Sequence, residues 1–442
     1  AGSNYNVLIG HDVANQGVNG GTFNISIGTN SSRGLTSGDY NTAVGSNALY
    51  AITTGGDNVA IGRGAGISTT EGNHNIFIGT ESGDANITGD ELILIGYRAG
   101  KSLNHDTDVD GSIMIGYEAG KDLTSAIGTF IGYQAGAEAD DATTKAVYNT
   151  YVGYESGKFL DDGTNNTSLG HQAMRSADAD GQNAAHNTAI GYHSLYAITD
   201  GDYNVAVGSG AGDSITTGLY NVAIGSSSAS AVTTGSKNIA IGTNALLTED
   251  TGNKNIAIGI EALKVLNYDA DGFNIAIGHQ AGIDLSSGSQ NVFLGGQSGF
   301  ESTSNTGSVF LGYQAGKNTA GAYHYNVAIG MQALLAAHTQ SGTVAIGYQS
   351  LNALTSGGGN IGIGYQSMLV HTTGTNNIAI GYQAMDDTNA GANSLSSQDN
   401  IFIGTDAGGG TWGTTGASNY NVGIGNQVLD AGLDGANSNT AM

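Results

Sequence analysis

Three aspartates at alternate positions form the sharpest local motif of the sequence, Asp106-Thr-Asp108-Val-Asp110-Gly111. In calcium-binding loops, alternate carboxylates of this kind converge on one hard cation. The bidentate carboxylate expected at the twelfth position is absent, because Tyr117 stands there and Glu118 follows one residue later. Asp106, Asp108 and Asp110 are therefore candidate calcium ligands, and an ordinary acidic turn is the alternative. No other cofactor is predicted.

Tyrosine and histidine recur directly after a repeated glycine. Nine units place Tyr there: Tyr97, Tyr117, Tyr133, Tyr154, Tyr192, Tyr313, Tyr348, Tyr365 and Tyr382. Such a row of rings suits sugar binding, and packing between neighbouring units or chains is the alternative. His11, His171 and His279 occupy the same position, where three copies of one histidine would meet in a trimer and bind a metal. Polar turn filler is the alternative for the histidines.

Two further activities would need side-chain patterns that the sequence does not provide. Glycoside hydrolysis needs two carboxylates about 5–10 Å apart, and no pair stands out from the turn aspartates. Ice binding needs regular outward ranks of threonine, whereas the Thr-Thr-Gly triplets occur in a minority of units and end in a turn. The sequence therefore predicts that the chain is not an enzyme.

Composition excludes several classes of protein. The chain has 442 residues, 74 of them Gly, with no Pro and no Cys, so neither collagen nor a disulfide or Cys-based zinc framework is possible. The net charge of −25 disfavours nucleic acid and anionic membranes as partners. No stretch approaches the roughly 18 consecutive apolar residues of a membrane span, so membrane insertion is not expected.

The positioning elements are 24 repeat units, each marked by one glycine. In residues 204–262 the units read Asn204-Val-Ala-Val-Gly208, Asn221-Val-Ala-Ile-Gly225, Asn238-Ile-Ala-Ile-Gly242 and Asn255-Ile-Ala-Ile-Gly259, and 14 of the 23 intervals between glycines are 17 residues. A fixed period of this length predicts a stacked architecture. The short apolar run before each glycine predicts a strand, so the fold class is all-β, a parallel β-solenoid.

Positions within a unit are counted from its glycine. Position −3 is Val, Ile or Thr and position −1 is Ile, Val or Leu in all 24 units, and we expect both to point into the coil. The residue between them, at position −2, is mostly Ala or an aromatic. We expect it to face a second chain, with a second core inside one chain as the alternative. The predicted seam of a homotrimer comprises Ala60, Phe77, Ala206, Ala223, Ala240, Ala257 and Ala345.

The repeat runs through the whole sequence, which predicts one continuous solenoid domain over 1–442 that is cut within the repeat at both ends. Longer intervals between glycines predict loop insertions near 101–112, 137–149, 174–187, 264–274, 385–400 and 408–421. Asn at position −4 in 19 of 24 units predicts a ladder of stacked amides that also caps turn backbone. Position +4 alternates between Gly and Leu or Met.

The unit Asn238-Ile-Ala-Ile-Gly242-Thr-Asn-Ala245 resembles the head repeats of trimeric autotransporter adhesins. Units such as Gly381-Tyr-Gln-Ala384 and Gly347-Tyr-Gln-Ser350, with Thr-Thr-Gly corners, are more similar still to the repeat of bacteriophage tail-fibre proteins. The resemblance implies a left-handed parallel β-roll, three chains side by side, and the strand before the glycine near the threefold axis.

Together these features predict the shaft of an extracellular trimeric fibre. A bacteriophage tail fibre that takes part in host attachment is the first hypothesis, and a bacterial trimeric surface adhesin or another extracellular filament is the alternative. Loops projecting from the shaft, or a tip outside this sequence, would contact a host receptor or glycan.

Overall fold

The computed structural model describes residues 5–104, 110–137, 145–160, 162–176, 182–319, 321–336, 338–388, 396–413 and 416–442. The chain forms two compact units, Ala1–Tyr220 and Asn221–Met442. The described residues contain no α-helix, and accordingly no helix that could cross a membrane.

The first unit contains twelve strands: β1 Val7–Ile9, β2 Ile25–Ile27, β3 Thr42–Val44, β4 Val59–Ile61, β5 Ile76–Ile78, β6 Ile93–Ile95, β7 Ile113–Ile115, β8 Ser125–Ile131, β9 Lys145–Val152, β10 Thr167–Leu169, β11 Thr188–Ile190 and β12 Val205–Val207. The second unit contains thirteen: β13 Val222–Ile224, β14 Ile239–Ile241, β15 Ile256–Ile258, β16 Ile275–Ile277, β17 Val292–Leu294, β18 Val309–Leu311, β19 Val327–Ile329, β20 Val344–Ile346, β21 Ile361–Ile363, β22 Ile378–Ile380, β23 Ile401–Ile403, β24 Val422–Ile424 and β25 Thr440–Ala441.

Within each unit, successive strands pair in parallel and in register. Ile239, Ala240 and Ile241 of β14, for example, stand opposite Ile256, Ala257 and Ile258 of β15. Each repeat is therefore one turn of a coil that hydrogen-bonds to the turns before and after it, and the predicted parallel β-solenoid with a 17-residue period is confirmed. The prediction of a single continuous domain over 1–442 stays a prediction.

The strands bury the residue that the sequence argument placed outside. Position −2 lies inside the coil of a single chain: Ala60, Phe77, Ala206, Ala223, Ala240, Ala257 and Ala345 are all 0% exposed. The flanking side chains point outward, and Ile61 is 42% exposed. The predicted seam at position −2 is therefore wrong, because a side chain sealed within its own coil cannot contact a second chain.

Size decides which side chains enter the coil. The interior receives positions −2, +3, +4 and +7, as Ala240, Ala245, Leu246 and Glu249 show in one turn. In most turns where position −2 is small, Leu or Met at position +4 fills the space. Where position −2 is aromatic, position +4 is Gly, as in Phe310 and Gly316, since a Cβ on Gly316 would lie 2.6 Å from that ring.

The repeated glycine permits the close stacking of turns. Gly242 has φ +132°, and a Cβ there would lie 2.5 Å from the carbonyl oxygen of Gly259 in the next turn. A side chain would therefore clash with the backbone of the neighbouring turn as well as strain φ. Left-handed backbone also recurs at positions −5, +2 and +4, including non-glycine residues such as Lys237, Asn244 and Leu246.

The predicted amide ladder at position −4 is confirmed. Asn238 Nδ2 donates to the carbonyl oxygen of Gly252 at 2.8 Å, and the backbone N–H of Asn255 donates to Asn238 Oδ1 at 3.0 Å. Each buried amide thus joins its own turn to the next one. Buried polar groups need such partners, because an unpaired one costs about 1–3 kcal/mol.

Candidate interaction surfaces

An apolar stripe covers the outer face of the strands. It comprises positions −3 and −1, where all 24 units carry Val, Ile, Leu or Thr, so that no charged side chain interrupts it. Many of these side chains are partly exposed, and Leu294, Leu311 and Ile424 are among the most exposed. Contiguous apolar surface repeated over many turns is unusual for a monomer and marks an interaction site.

Stacked aromatic rings form a second surface at position +1. In the first unit Tyr97, Tyr117, Tyr133 and Tyr154 stack with centroids 5.0–5.1 Å apart. His171 continues the row 4.9 Å from Tyr154. In the second unit Tyr348, Tyr365 and Tyr382 stack at 5.2 and 5.1 Å.

The stacking favours packing over sugar binding as the role of these tyrosines. Each inner ring has both faces covered by its neighbours, whereas stacking on a sugar needs a free face. His171 lies between Tyr154 and Tyr192, so this histidine is part of the aromatic row. A metal shared by three copies of it stays a prediction.

A third aromatic row lies at position −5, on the other side of the strand in sequence. Tyr5, Phe23 and Tyr40 stack at 5.0 and 5.1 Å. Tyr203 stacks on Tyr220 at 5.0 Å. The apolar stripe is thus flanked in sequence by two aromatic positions, of which only position +1 was predicted from the sequence.

Ion pairs lie beside the aromatic row of the first unit. They join Glu81 and Arg98, at position +2 of successive turns, and Arg63, at position +1 of the turn before them. The hydrogen bond from Arg98 and a second one from Arg63 hold the pKa of Glu81 below its usual range. Arg98 Nε lies 2.8 Å from Glu81 Oε2. The Glu81 carboxylate therefore lies between two arginines, one from the turn before it and one from the turn after it. This cluster was not predicted from the sequence, because its members lie in three successive turns, 17–18 residues apart, and most other units carry no charged residue at position +2.

A ladder of glutamine amides occupies position +2 in the second unit. Gln297 Nε2 donates to Gln280 Oε1, and five further bonds of 2.9–3.3 Å continue the row to Gln383. Gln280 in turn donates to Glu261 Oε2 at 3.0 Å. All donors point the same way, so the row ends on a carboxylate that accepts the last bond.

Several titratable side chains lie in the core: Glu249 and His371 at position +7, and His338 at position +8. Glu249 accepts hydrogen bonds from the backbone N–H groups of Gly252 and Tyr268 at 2.8 and 3.2 Å, and burial raises its pKa to about 7. Burial lowers the pKa of His338 and of His371 to about 4. In many other turns position +7 carries Leu, Ile or Val, as in Val232 and Leu266, or an uncharged polar residue such as Thr69, so charge on these groups is unfavourable.

The predicted calcium site falls only partly within the described chain. Asp106 and Asp108 lie outside the described residues. Asp110 is exposed, and its Oδ1 accepts the backbone N–H of Asp90 at 2.8 Å. Among the residues that the structure describes, no group of three His, Asp or Glu side chains is arranged to hold a metal ion. Calcium at Asp106, Asp108 and Asp110 stays a prediction.

No protein-family model matches the chain. A search of curated proteins likewise gives no significant match.

Proposed function

We propose that the chain is the structural shaft of an extracellular homotrimeric fibre, and that the fibre is a bacteriophage tail fibre involved in host attachment. The observation that carries this proposal is the uncharged apolar stripe at positions −3 and −1, which a single chain leaves partly exposed. Covering this stripe with further copies of the chain would remove the apolar surface from water at about 25 cal/mol per Å².

The trimer now has a different seam from the one predicted at position −2. Ile241 and Ile258 of the stripe stand in register on adjacent strands, so a second chain in the same orientation meets the same surface at every turn. The number three comes from the resemblance to fibre repeats. In this arrangement the strand before the glycine lies near the shared axis.

The charge of the chain supports an exposed position in solution. With 37 acidic and 12 basic residues the surface repels nucleic acid, and the acidic residues keep fibres soluble and apart from one another. Host receptor or glycan binding falls to the inserted loops or to a tip outside this sequence. The shaft itself carries out no reaction in this proposal.

A bacterial trimeric adhesin is the second candidate, because the Asn-Ile-Ala-Ile-Gly repeat resembles both families. Neighbouring genes distinguish the two. Genes for tail and baseplate proteins are expected for the phage fibre, and a secretion anchor encoded on the same chain is expected for the adhesin.

Sedimentation equilibrium of the full chain tests the assembly. We expect three times the chain mass of 44.4 kDa. The double variant Ile241→Asp/Ile258→Asp should sediment as a folded monomer, because six carboxylates would otherwise be buried near one axis. The matched control Thr234→Asp/Ser287→Asp, at exposed positions away from the strands, should stay trimeric.

The variant Ala240→Asp distinguishes a seam at positions −3 and −1 from the seam first predicted at position −2. Because Ala240 lies in the core of one chain, its substitution should lower the cooperativity and temperature of unfolding, rather than release folded monomers. A monomeric wild type would contradict the proposed trimer. If the Ile241→Asp/Ile258→Asp variant were still a trimer, the apolar stripe would not be the contact between chains.

A further inference from the structure

Six pairs of tyrosines from successive turns stack face to face in the described part of the chain. Their ring centroids are 5.0–5.2 Å apart and their planes are within 21° of parallel. Tyr117, Tyr133 and Tyr365 each have a tyrosine on both sides. The backbone register of the solenoid therefore holds phenol rings next to one another along the coil.

The rings combine close contact with open edges. Tyr117 is 44% exposed and Tyr365 is 43% exposed, although their faces are covered by neighbouring rings. The exposed part is therefore the ring edge and the hydroxyl group. A small oxidant reaches these edges from solvent, whereas a ligand that needs the ring face does not.

We propose that these rows are sites of oxidative cross-linking, in which tyrosines of successive turns of the same chain become joined as dityrosine. A peroxide, acting through a peroxidase or a metal catalyst, is the oxidant. Each of two phenols gives up one electron and its hydroxyl proton. The two radicals form a carbon–carbon bond between the ring carbons beside the oxygens, and the hydrogens on those carbons move to the oxygens. Hydrogen peroxide takes up the two electrons and two protons and leaves as two waters.

Proximity makes coupling within the chain the favoured outcome. Two phenoxyl radicals in solution must meet by diffusion, whereas neighbouring turns hold the second ring at contact distance before oxidation. The half-exposed rings have room to tilt toward one another. Because the chain has no cysteine, such a bond would be its covalent tie between turns in place of a disulfide.

The chain carries its own unstacked controls. Tyr313 is 51% exposed, but the equivalent positions in the turns before and after it are Gly296 and Met331. Tyr325 is 68% exposed, and its equivalents are Gly307 and Gly342. Within the described residues neither has a stacked tyrosine partner, so oxidation of these rings should end in other products.

Peroxidase and hydrogen peroxide applied to the full chain test the proposal, with peptide mapping by mass spectrometry after digestion between the turns. We expect dityrosine fluorescence and linked peptides, each two hydrogens lighter than the sum of its parts, that join Tyr348 to Tyr365 or Tyr365 to Tyr382. Tyr365→Phe keeps the stacked ring but should abolish both links, while links among Tyr97, Tyr117, Tyr133 and Tyr154 persist. Tyr313→Phe should leave the pattern unchanged.

A mixture of unlabelled chains and chains labelled uniformly with heavy isotopes shows whether each bond lies within one chain or joins two chains. Links inside one chain contain a single isotope, and this result is expected at Tyr348, Tyr365 and Tyr382. Mixed-isotope links there would overturn the proposal, as would oxidation of Tyr313 and Tyr325 without linkage in the stacked rows. The test does not depend on the proposed fibre function, because the stacked rows lie within one chain.

Discussion

A Cβ atom on Gly83 would lie 2.6 Å from Cε1 of the Phe77 ring, well inside van der Waals contact. Phe77 occupies position −2 of its turn and Gly83 position +4, so the ring fills the space that Leu246 fills beside Ala240 in another turn. The two positions share one interior volume. Aromatic with glycine and alanine with leucine are two ways to fill it.

Gly83→Ala should therefore destabilise the first unit. The new methyl group would clash with the Phe77 ring, and the alanine backbone would have to keep the left-handed φ of +60°. Strain and overpacking together should cost about 2–5 kcal/mol. Chemical denaturation followed by circular dichroism measures the loss. Gly64→Ala is the matched control, because its φ is +68° but the nearest atom is 3.9 Å away, so only the strain remains.

The shared volume also predicts a rescue. Phe77→Ala should cost about 3–5 kcal/mol by leaving a cavity. In the Phe77→Ala background Gly83→Leu should recover part of the lost stability, because the pair then matches Ala240 and Leu246. Leu246 itself has φ 51°, so leucine can adopt the left-handed backbone of this position. If Gly83→Leu is as harmful in the Phe77→Ala background as in the wild-type chain, the two positions do not share a volume.

Asn238→Ala should destabilise the second unit by about 2–5 kcal/mol, because it leaves the Gly252 carbonyl and the Asn255 N–H without their buried partner. Urea unfolding of the purified chain gives the free energy of unfolding. Thr243→Ala, an exposed residue in the same turn, should change it by less than about 0.5 kcal/mol. Equal losses in the two variants would show that the amide ladder adds little.

Stability should fall as pH rises through the range set by Glu249. Burial raises the pKa of Glu249 from 4.5 to about 7, so between these values the folded state holds a proton that the unfolded state has released. Glu249→Gln removes this titratable group, so the free energy of unfolding should decline less steeply with pH. The measurement is the free energy of unfolding at several pH values from about 4.5 to about 8, which bracket the two pKa values. A variant with the same decline as wild type would assign the pH dependence to other groups.

His371 should lower the stability of the fold as the pH falls, which is the opposite of the dependence expected from Glu249. Burial lowers its pKa from 6.5 to about 4, so the unfolded state binds the extra proton between these values and stability falls on acidification. The loss amounts to at most about 3.5 kcal/mol at about 1.4 kcal/mol per pKa unit. His371→Gln should reduce this slope in the same titration. His74→Gln, at an exposed side chain, serves as the control, and an equal effect from both would contradict the burial argument.

The periodicity of the sequence predicts the fold well, because strand, glycine and asparagine recur at fixed offsets and each offset has one physical role. Gly242 and Asn238 illustrate this, the first by close approach of turns and the second by its amide bonds. Which face of the strand is inside was predicted wrongly. Alternation separates two faces, but both faces of Ile239-Ala240-Ile241 are apolar, so hydrophobicity cannot choose between them.

Volume makes that choice, and volume depends on residues outside the strand. The interior beside Ala240 is already occupied by Ala245 and Leu246, which leaves no room for isoleucine. The alternation of Gly with Leu or Met at position +4 carried this information in the sequence. The stacked tyrosines were visible as a repeated residue, but their ring contacts depend on the register of turns. The ion pairs around Glu81 follow the period, but they occupy a position that most other units fill with uncharged residues.

The hydrogen bonds between turns have a consequence for how such a chain changes length. In the described part of the chain each turn hydrogen-bonds to the turns before and after it, and Asn238 bonds to Asn255 just as Asn221 bonds to Asn238. Removal of residues 222–238 would therefore join equivalent positions and leave the column pattern intact. Removal of one residue fewer would instead shift all later side chains by one place. Unequal recombination between repeats would therefore lengthen or shorten such a chain in whole turns, so that its length would be inherited as a whole number of repeats.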